Sequence, residues 1–203
     1  MSVPTKERRR YAGASFADRQ TERRERLVLA AIAVFGRSGR EGATVAAICA
    51  EAGLTARYFY ESFPNRDALF LEAYRLIQAE LLADIERARD AADPVRGALT
   101  GFYAALAEHP GLARVFLLDP HGREAAMQAA GRETATRLVK LFAPNVQTHL
   151  AAAGMLGAIV DIARRWIESD FAEPVETVVS VALPFARAAA PLSEKALGTS
   201  AGP

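Results

Sequence analysis

Apolar residues recur along this chain at spacings of three and four, which puts them on one side of an α-helix. No alternating apolar and polar run persists long enough to specify a strand, so the pattern predicts an all-α protein. A first helix is expected from Asp18 or Thr21, either of which can cap it, to about Ser38. Leu27, Ala30, Ala31, Val34 and Phe35 share one face and the charged run 22–26 the other. Gly36, Gly39 and Gly42 are expected to end this helix and supply the loop. Two short helices follow at about 45–51 and 56–61, behind Thr44 and Thr55 as caps, and a fourth runs from Pro64-Asn65 to about Ala92. Pro94, Pro110 and Pro174 stand where helices begin, which predicts five more over 94–108, 110–118, 122–142, 146–169 and 174–189.

Composition places the chain among globular proteins, with 51% hydrophobic and 24% charged residues in 203. Its lone cysteine, Cys49, excludes an internal disulfide framework and a CxxC site. The opening MSVPTKERRR leads into mixed polar residues rather than the apolar stretch of a signal peptide, and a cytoplasmic location is expected. The charge-free run 141–160 is broken by Pro144, Asn145, Gln147, Thr148 and His149, so no membrane partner is expected. Charge divides the chain more sharply than composition does. Of 25 Lys/Arg and 24 Asp/Glu, 12 and 7 fall in residues 1–66, leaving 13 and 17 beyond. A basic head suits a polyanion, because Lys and Arg displace counterions from phosphates, and an acidic body would be repelled by one. Four segments are expected: a basic mobile arm at 1–17, a DNA-binding unit at 18–66, a helical body at 67–189 and a mobile tail at 190–203. Lys6, Arg8, Arg9 and Arg10 of the arm could lie along DNA.

The segment TVAAICAEAGLTARYFYESF, Thr44 to Phe63, carries the chemistry. Two helices that cross within about twenty residues need a tight turn with one residue at positive φ, and Gly53 stands there. Ala46, Cys49 and Ala52 are small enough for close crossing, while Val45, Ile48, Leu54 and Phe59 point toward a shared core. Cys49 is thereby a small core residue rather than a reactive thiol. Thr55, Ala56, Arg57, Tyr58 and Tyr60 are left for a partner. Small residues at the helix start permit approach to a groove, Arg57 can pair bidentately with guanine, and the hydroxyls can bind phosphate. A plain helical hairpin is the alternative, and the basic setting favours the DNA-binding one.

These residues resemble the tetracycline-repressor-like (TetR) transcriptional regulators over about 22–75. The features that match are Thr44, Ile48, the turn Ala52-Gly53-Leu54-Thr55, Tyr60-Glu61-Ser62-Phe63, and Arg66, Asp67 and Leu69. The resemblance implies a three-helix DNA-binding domain joined by the long fourth helix to a larger helical domain for ligand binding and dimerisation. It further implies that Thr44 and Tyr60 contact phosphates, that 55–58 read bases, and that Arg66 clamps a phosphate. Ser62, Cys49 and Arg66 depart from the histidine or tyrosine, the alanine and the lysine usual at those places.

Beyond residue 92 the resemblance fades. Residues with polar tips on apolar helices are the pocket candidates: Tyr74, Tyr103, His109, His121, His149 and Trp166, interleaved with Phe102, Phe116 and Met127. Small residues at 151–158, among them Ala153 and Gly157, and the apolar face Val178, Ala182 and Phe185 suggest a dimer seam between the eighth and ninth helices. The histidines lack metal-site spacing, and no phosphate loop, GxSxG turn or Cys/His pairing appears, so neither metal nor cofactor nor enzymatic activity is expected. The expected function is that of a dimeric repressor on a palindromic double-stranded operator, released by a small hydrophobic effector. A structural DNA-binding protein for nucleoid organisation or division-site marking is the alternative.

Overall fold

A computed structural model describes residues 16–90, 92–118 and 125–189. Among the described residues there are nine helices and no strand: α1 (Phe16–Gly42), α2 (Val45–Ala52), α3 (Ala56–Ser62), α4 (Arg66–Ala88), α5 (Pro94–Glu108), α6 (Pro110–Leu117), α7 (Ala125–Phe142), α8 (His149–Glu168) and α9 (Val175–Ala188). Most of the basic arm, the tail and His121 lie outside the described residues.

Local chemistry sets most of these boundaries. The Thr44 hydroxyl accepts from the Ala47 amide at 3.1 Å, Asn65 Oδ1 from Ala68 at 2.8 Å, Asp93 Oδ1 from Arg96 at 3.1 Å and Thr148 Oγ1 from Ala151 at 3.1 Å. Each satisfies an amide that a helix start leaves without an intrahelical partner. Several boundaries depart from expectation, among them the start of α8, which falls at His149 rather than 146, behind the Thr148 cap. Gly36 does not end α1: the helix runs through it and breaks at Gly39, whose φ of 66° and ψ of −177° are non-helical, before a last turn to Gly42. The fourth helix stops at Ala88, four residues before the expected Ala92, because Arg89 turns extended and α5 folds back on it. Gly97 permits that return, since a Cβ there would lie 2.5 Å from the Asp90 amide nitrogen.

Two apolar cores result. The first gathers Leu27, Ala31, Phe35, Ile48, Phe59, Phe63, Leu69 and Phe70 from α1–α4, and reaches Tyr74, Met127 and Ala130. The second holds Phe102, Tyr103, Phe142, Ile159, Trp166, Val179 and Ala182 among α5, α7, α8 and α9. α4 contributes to both, with Leu69 to Tyr74 in the first and Leu82 and Ile85 in the second. No helix of the described residues is long and apolar enough to cross a membrane.

Candidate DNA-binding surface and effector cavity

Between α2 and α3 the chain turns through Gly53, at φ 62° and ψ 37°, a conformation that glycine adopts without strain. Arg26 of α1 closes the end of α2 by donating to the Ala52 carbonyl at 2.6 Å. Cys49 and Ala52 are buried at the crossing as expected, and burial pushes the Cys49 thiol above its ordinary value. Ala46 is exposed and Val45 and Leu54 are only half-buried, because the short α2 turns just one narrow face, Ile48, Cys49 and Ala52, to α1 and α3.

The residues expected to meet DNA lie together around this turn. Thr44, Thr55, Ala56, Arg57 and Tyr60 are exposed. Tyr60 leaves 62% of its surface open although it is a large aromatic beside a buried one, its ring edge-on to Phe59 at 5.2 Å. Thr55 makes no side-chain cap bond, whereas the Thr44 hydroxyl already accepts from its own helix. Tyr58 is half-buried beneath the Arg23 guanidinium, 4.7 Å from its ring centre. Arg57 reaches forward one turn to Glu61, Nε to Oε1 2.9 Å, and this carboxylate raises the guanidinium further above its ordinary value. Arg66 donates to the Arg40 carbonyl at 3.3 Å, so without DNA it ties α4 to the end of α1. A second tie is the Arg24 guanidinium, which pairs with Glu72 and also donates to the Ser62 carbonyl.

A cavity of about 380 Å³ opens between the two cores, within the range of small-molecule sites. α4 walls it with Tyr74, Ile77, Gln78, Glu80, Leu81 and Asp84; α5 and α6 add Phe102, Leu106, His109, Leu112 and Phe116. Gly131, Thr134 and Leu138 of α7, Leu156 and Val160 of α8, and Ile32 of α1 complete it. Tyr74 and Phe116 pack at 4.7 Å between ring centres with their planes tilted by 30°. Burial raises the Tyr74 hydroxyl above its ordinary value, and a hydrogen bond with Gln78 opposes the shift.

Of the expected pocket residues, Tyr74, Phe102, Phe116 and His109 line this cavity, while Tyr103, Met127, His149 and Trp166 do not. The polar tips of Tyr103 and Trp166 serve the fold instead: the hydroxyl donates to Ile159 O at 3.0 Å and the indole N–H to Glu173 O at 2.9 Å. Met127 packs in the first core, and His149 is exposed at the first residue of α8. Sequence reasoning missed Gly131, Glu80 and Asp84. The offsets 74, 77, 78, 81 and 84 form one face of α4, and its mixed polarity was the available signal.

The expected dimer residues also divide. Val178 and Ala182 are buried within this chain, where α9 packs on α5 and α8, so they are not free for a second copy. Ala153, Gly157 and Phe185 are exposed, together with Leu150 and Val181.

Residues 27–73 match the family model of bacterial regulatory proteins, tetR family. No curated protein matches the chain. Among solved structures, the fatty acid degradation regulator FadR from Bacillus halodurans is similar at 17% identity and TM-score 0.65, over 81% of this chain and 94% of that one. FadR from Bacillus subtilis, in complex with stearoyl-CoA, is similar at 15% identity and TM-score 0.66, over 80% and 96%. The multidrug binding protein EbrR, complexed with imidazole, is similar at 22% identity and TM-score 0.63, over 84% and 96%. At these identities the structures speak for the fold alone, and the family match speaks for residues 27–73. Residues 27–73, which hold the helix-turn-helix, are thus similar to the DNA-binding segment of bacterial regulatory proteins of the tetR family.

Proposed function

We propose that the chain is a dimeric repressor, reading a palindromic operator through α3 and releasing it when a small, largely hydrophobic ligand fills the cavity. One observation carries this reading: the cavity is walled by the same helices that hold the DNA-binding domain. α4 begins at Arg66 beside α3 and lines the cavity from Tyr74 to Asp84. α6 lines it with Leu112, Ala113 and Phe116 while crossing α1, and Ile32 of α1 itself reaches the wall. A ligand that moves α4 or α6 therefore moves elements of the DNA-binding domain. Two recognition helices must stay about 34–36 Å apart to enter successive major grooves, so a shift of a few ångströms in either suffices for release.

Two similar folds support an effector site, one crystallised with stearoyl-CoA and one named for multidrug binding. The exposed apolar side of α8 and α9, with Leu150, Ala153, Gly157, Val181 and Phe185, is the face proposed for the second copy. A purely structural DNA-binding protein needs no such cavity.

Selection from a pool of random duplexes tests the DNA-binding part. A palindrome with half-sites one helical turn apart, or a multiple of it, is the expected product. Retention of all duplexes alike would overturn the operator reading in favour of a structural role.

A further inference from the structure

We infer that the cavity selects amphiphilic cations, with an apolar tail and one positive charge at its end, over neutral and anionic ligands of the same shape. The inference rests on the proposed reading of the cavity as an effector site and adds the charge of its occupant.

The site is the cavity, and its lining sets the sign. Among the described lining residues there is no Lys or Arg, whereas two carboxylates, Glu80 and Asp84, stand one turn apart on α4. From Tyr74 to Asp84 the wall runs ten residues along that helix, about 15 Å at the α-helical rise. The two ends differ in character. Tyr74, Phe116 and Ile32 close the inner end with aromatic and aliphatic surface where the first core begins. At the outer end Glu80 is exposed, and Asp84 with Ala105 also borders a shallow groove on the protein surface. Asp84 is paired with Arg87, a side chain that remains 75% exposed, and Glu80 has no ion pair among the described residues. One carboxylate is thus partly neutralised and the other is available at the mouth.

Gly131 leaves the α7 side of the space without a side chain. A Cβ there would meet only the Tyr74 hydroxyl oxygen, at 3.7 Å, an ordinary contact. Helix α7 would gain by alanine in place of glycine, and no packing contact of the fold demands the smaller residue. Its effect is to leave the wall open. An anionic ligand entering this space gives up its hydration with no Lys or Arg on the wall in exchange, His109 being the one basic group of the lining, and the low-dielectric interior makes that unfavourable. A cation keeps its head at Glu80 and buries only its tail.

Titration calorimetry of the full chain with three ten-carbon probes below their micellar concentrations tests this: decyltrimethylammonium, decan-1-ol and decanoate. The expected order is cation, alcohol, carboxylate, with at least a tenfold preference for the cation over the alcohol that shrinks at high salt. In the double variant Glu80→Gln, Asp84→Asn, the cation should fall to within about twofold of the alcohol, with helical circular dichroism confirming the fold. Equal binding of the three, tightest binding of decanoate, or a cation preference that survives in the double variant overturns the charge assignment and leaves the effector site standing. Binding of none of the three overturns the effector-site reading and this inference with it.

Discussion

Gly36 and Gly111 bring α1 and α6 into backbone contact: a Cβ on Gly111 would lie 2.0 Å from the Gly36 carbonyl oxygen. The DNA-binding domain and the cavity wall meet at this crossing. Gly111→Ala should therefore force the helices apart and destabilise the chain by about 1–3 kcal/mol, as overpacking of a close contact does. Gly131→Ala, whose Cβ would meet only the Tyr74 hydroxyl at an ordinary 3.7 Å, is the matched control. Urea unfolding compares them, and a Gly111→Ala protein as stable as the parent would show that the contact is not close in solution.

The Arg57–Glu61 pair sets a second prediction. Both side chains sit at the protein surface, the arginine 83% exposed, so the pair itself contributes little to stability. On a preferred site, Arg57→Ala should cost about 1–3 kcal/mol and relax the base preference. Glu61→Gln frees the guanidinium and should strengthen binding to unrelated duplexes while narrowing discrimination. Fluorescence anisotropy on selected and scrambled duplexes measures both, and equal losses on the two for Arg57→Ala would reassign the residue to backbone contact.

How far these features could be read from residues alone depended on whether their causes were local. Thr44 with Gly53, and Asp93 with Pro94, bound helices through neighbours three or four positions away, so α2 and α5 fell where the spacing placed them. Gly36 was misread as a stop because its partner, Gly111, is distant in sequence. Tyr103 and Trp166 drew attention as pocket residues for their polar tips, and the backbone carbonyls that satisfy those tips carry no sequence signal. Tyr74, Phe102 and Phe116 line the cavity because aromatic residues on mid-body helices face either core or cavity, and here the two are contiguous.

Tyr103 makes stability depend on alkaline pH. Burial raises its hydroxyl well above the ordinary value of 10.0, so the folded chain keeps a proton that the unfolded chain releases. The stabilisation is complete below pH 10 and falls above it by up to about 1.4 kcal/mol per pH unit for this group. Tyr103→Phe loses the bond to Ile159 O, costing about 0.5–1.5 kcal/mol near pH 8, and removes this proton from the slope. Denaturant unfolding from pH 8 to 11.5 should show the gap to the parent closing above pH 10; a constant gap contradicts the assignment.

The proposed seam predicts that Gly157→Glu gives monomers with weak operator binding, because a carboxylate placed on the exposed small-residue face of α8 would be buried against a second copy. Sedimentation at micromolar concentration decides. A parent protein that is already monomeric overturns the proposed dimer, and a variant that dimerises as the parent does moves the interface elsewhere.

The proposed competition is between one ligand in the cavity and one operator, coupled through α4 and α6. Its most direct measurement holds labelled operator on the protein and follows anisotropy as a compound known to bind the free chain is added, for the parent and for Gly131→Leu, whose side chain would occupy the cavity. This competition predicts release of operator from the parent over the concentrations at which the compound binds. It also predicts that the compound binds the operator complex about 5–150-fold more weakly than the free chain, as linkage requires, and that the filled variant stays on DNA. A compound that occupies the parent's cavity while operator affinity stays constant contradicts it.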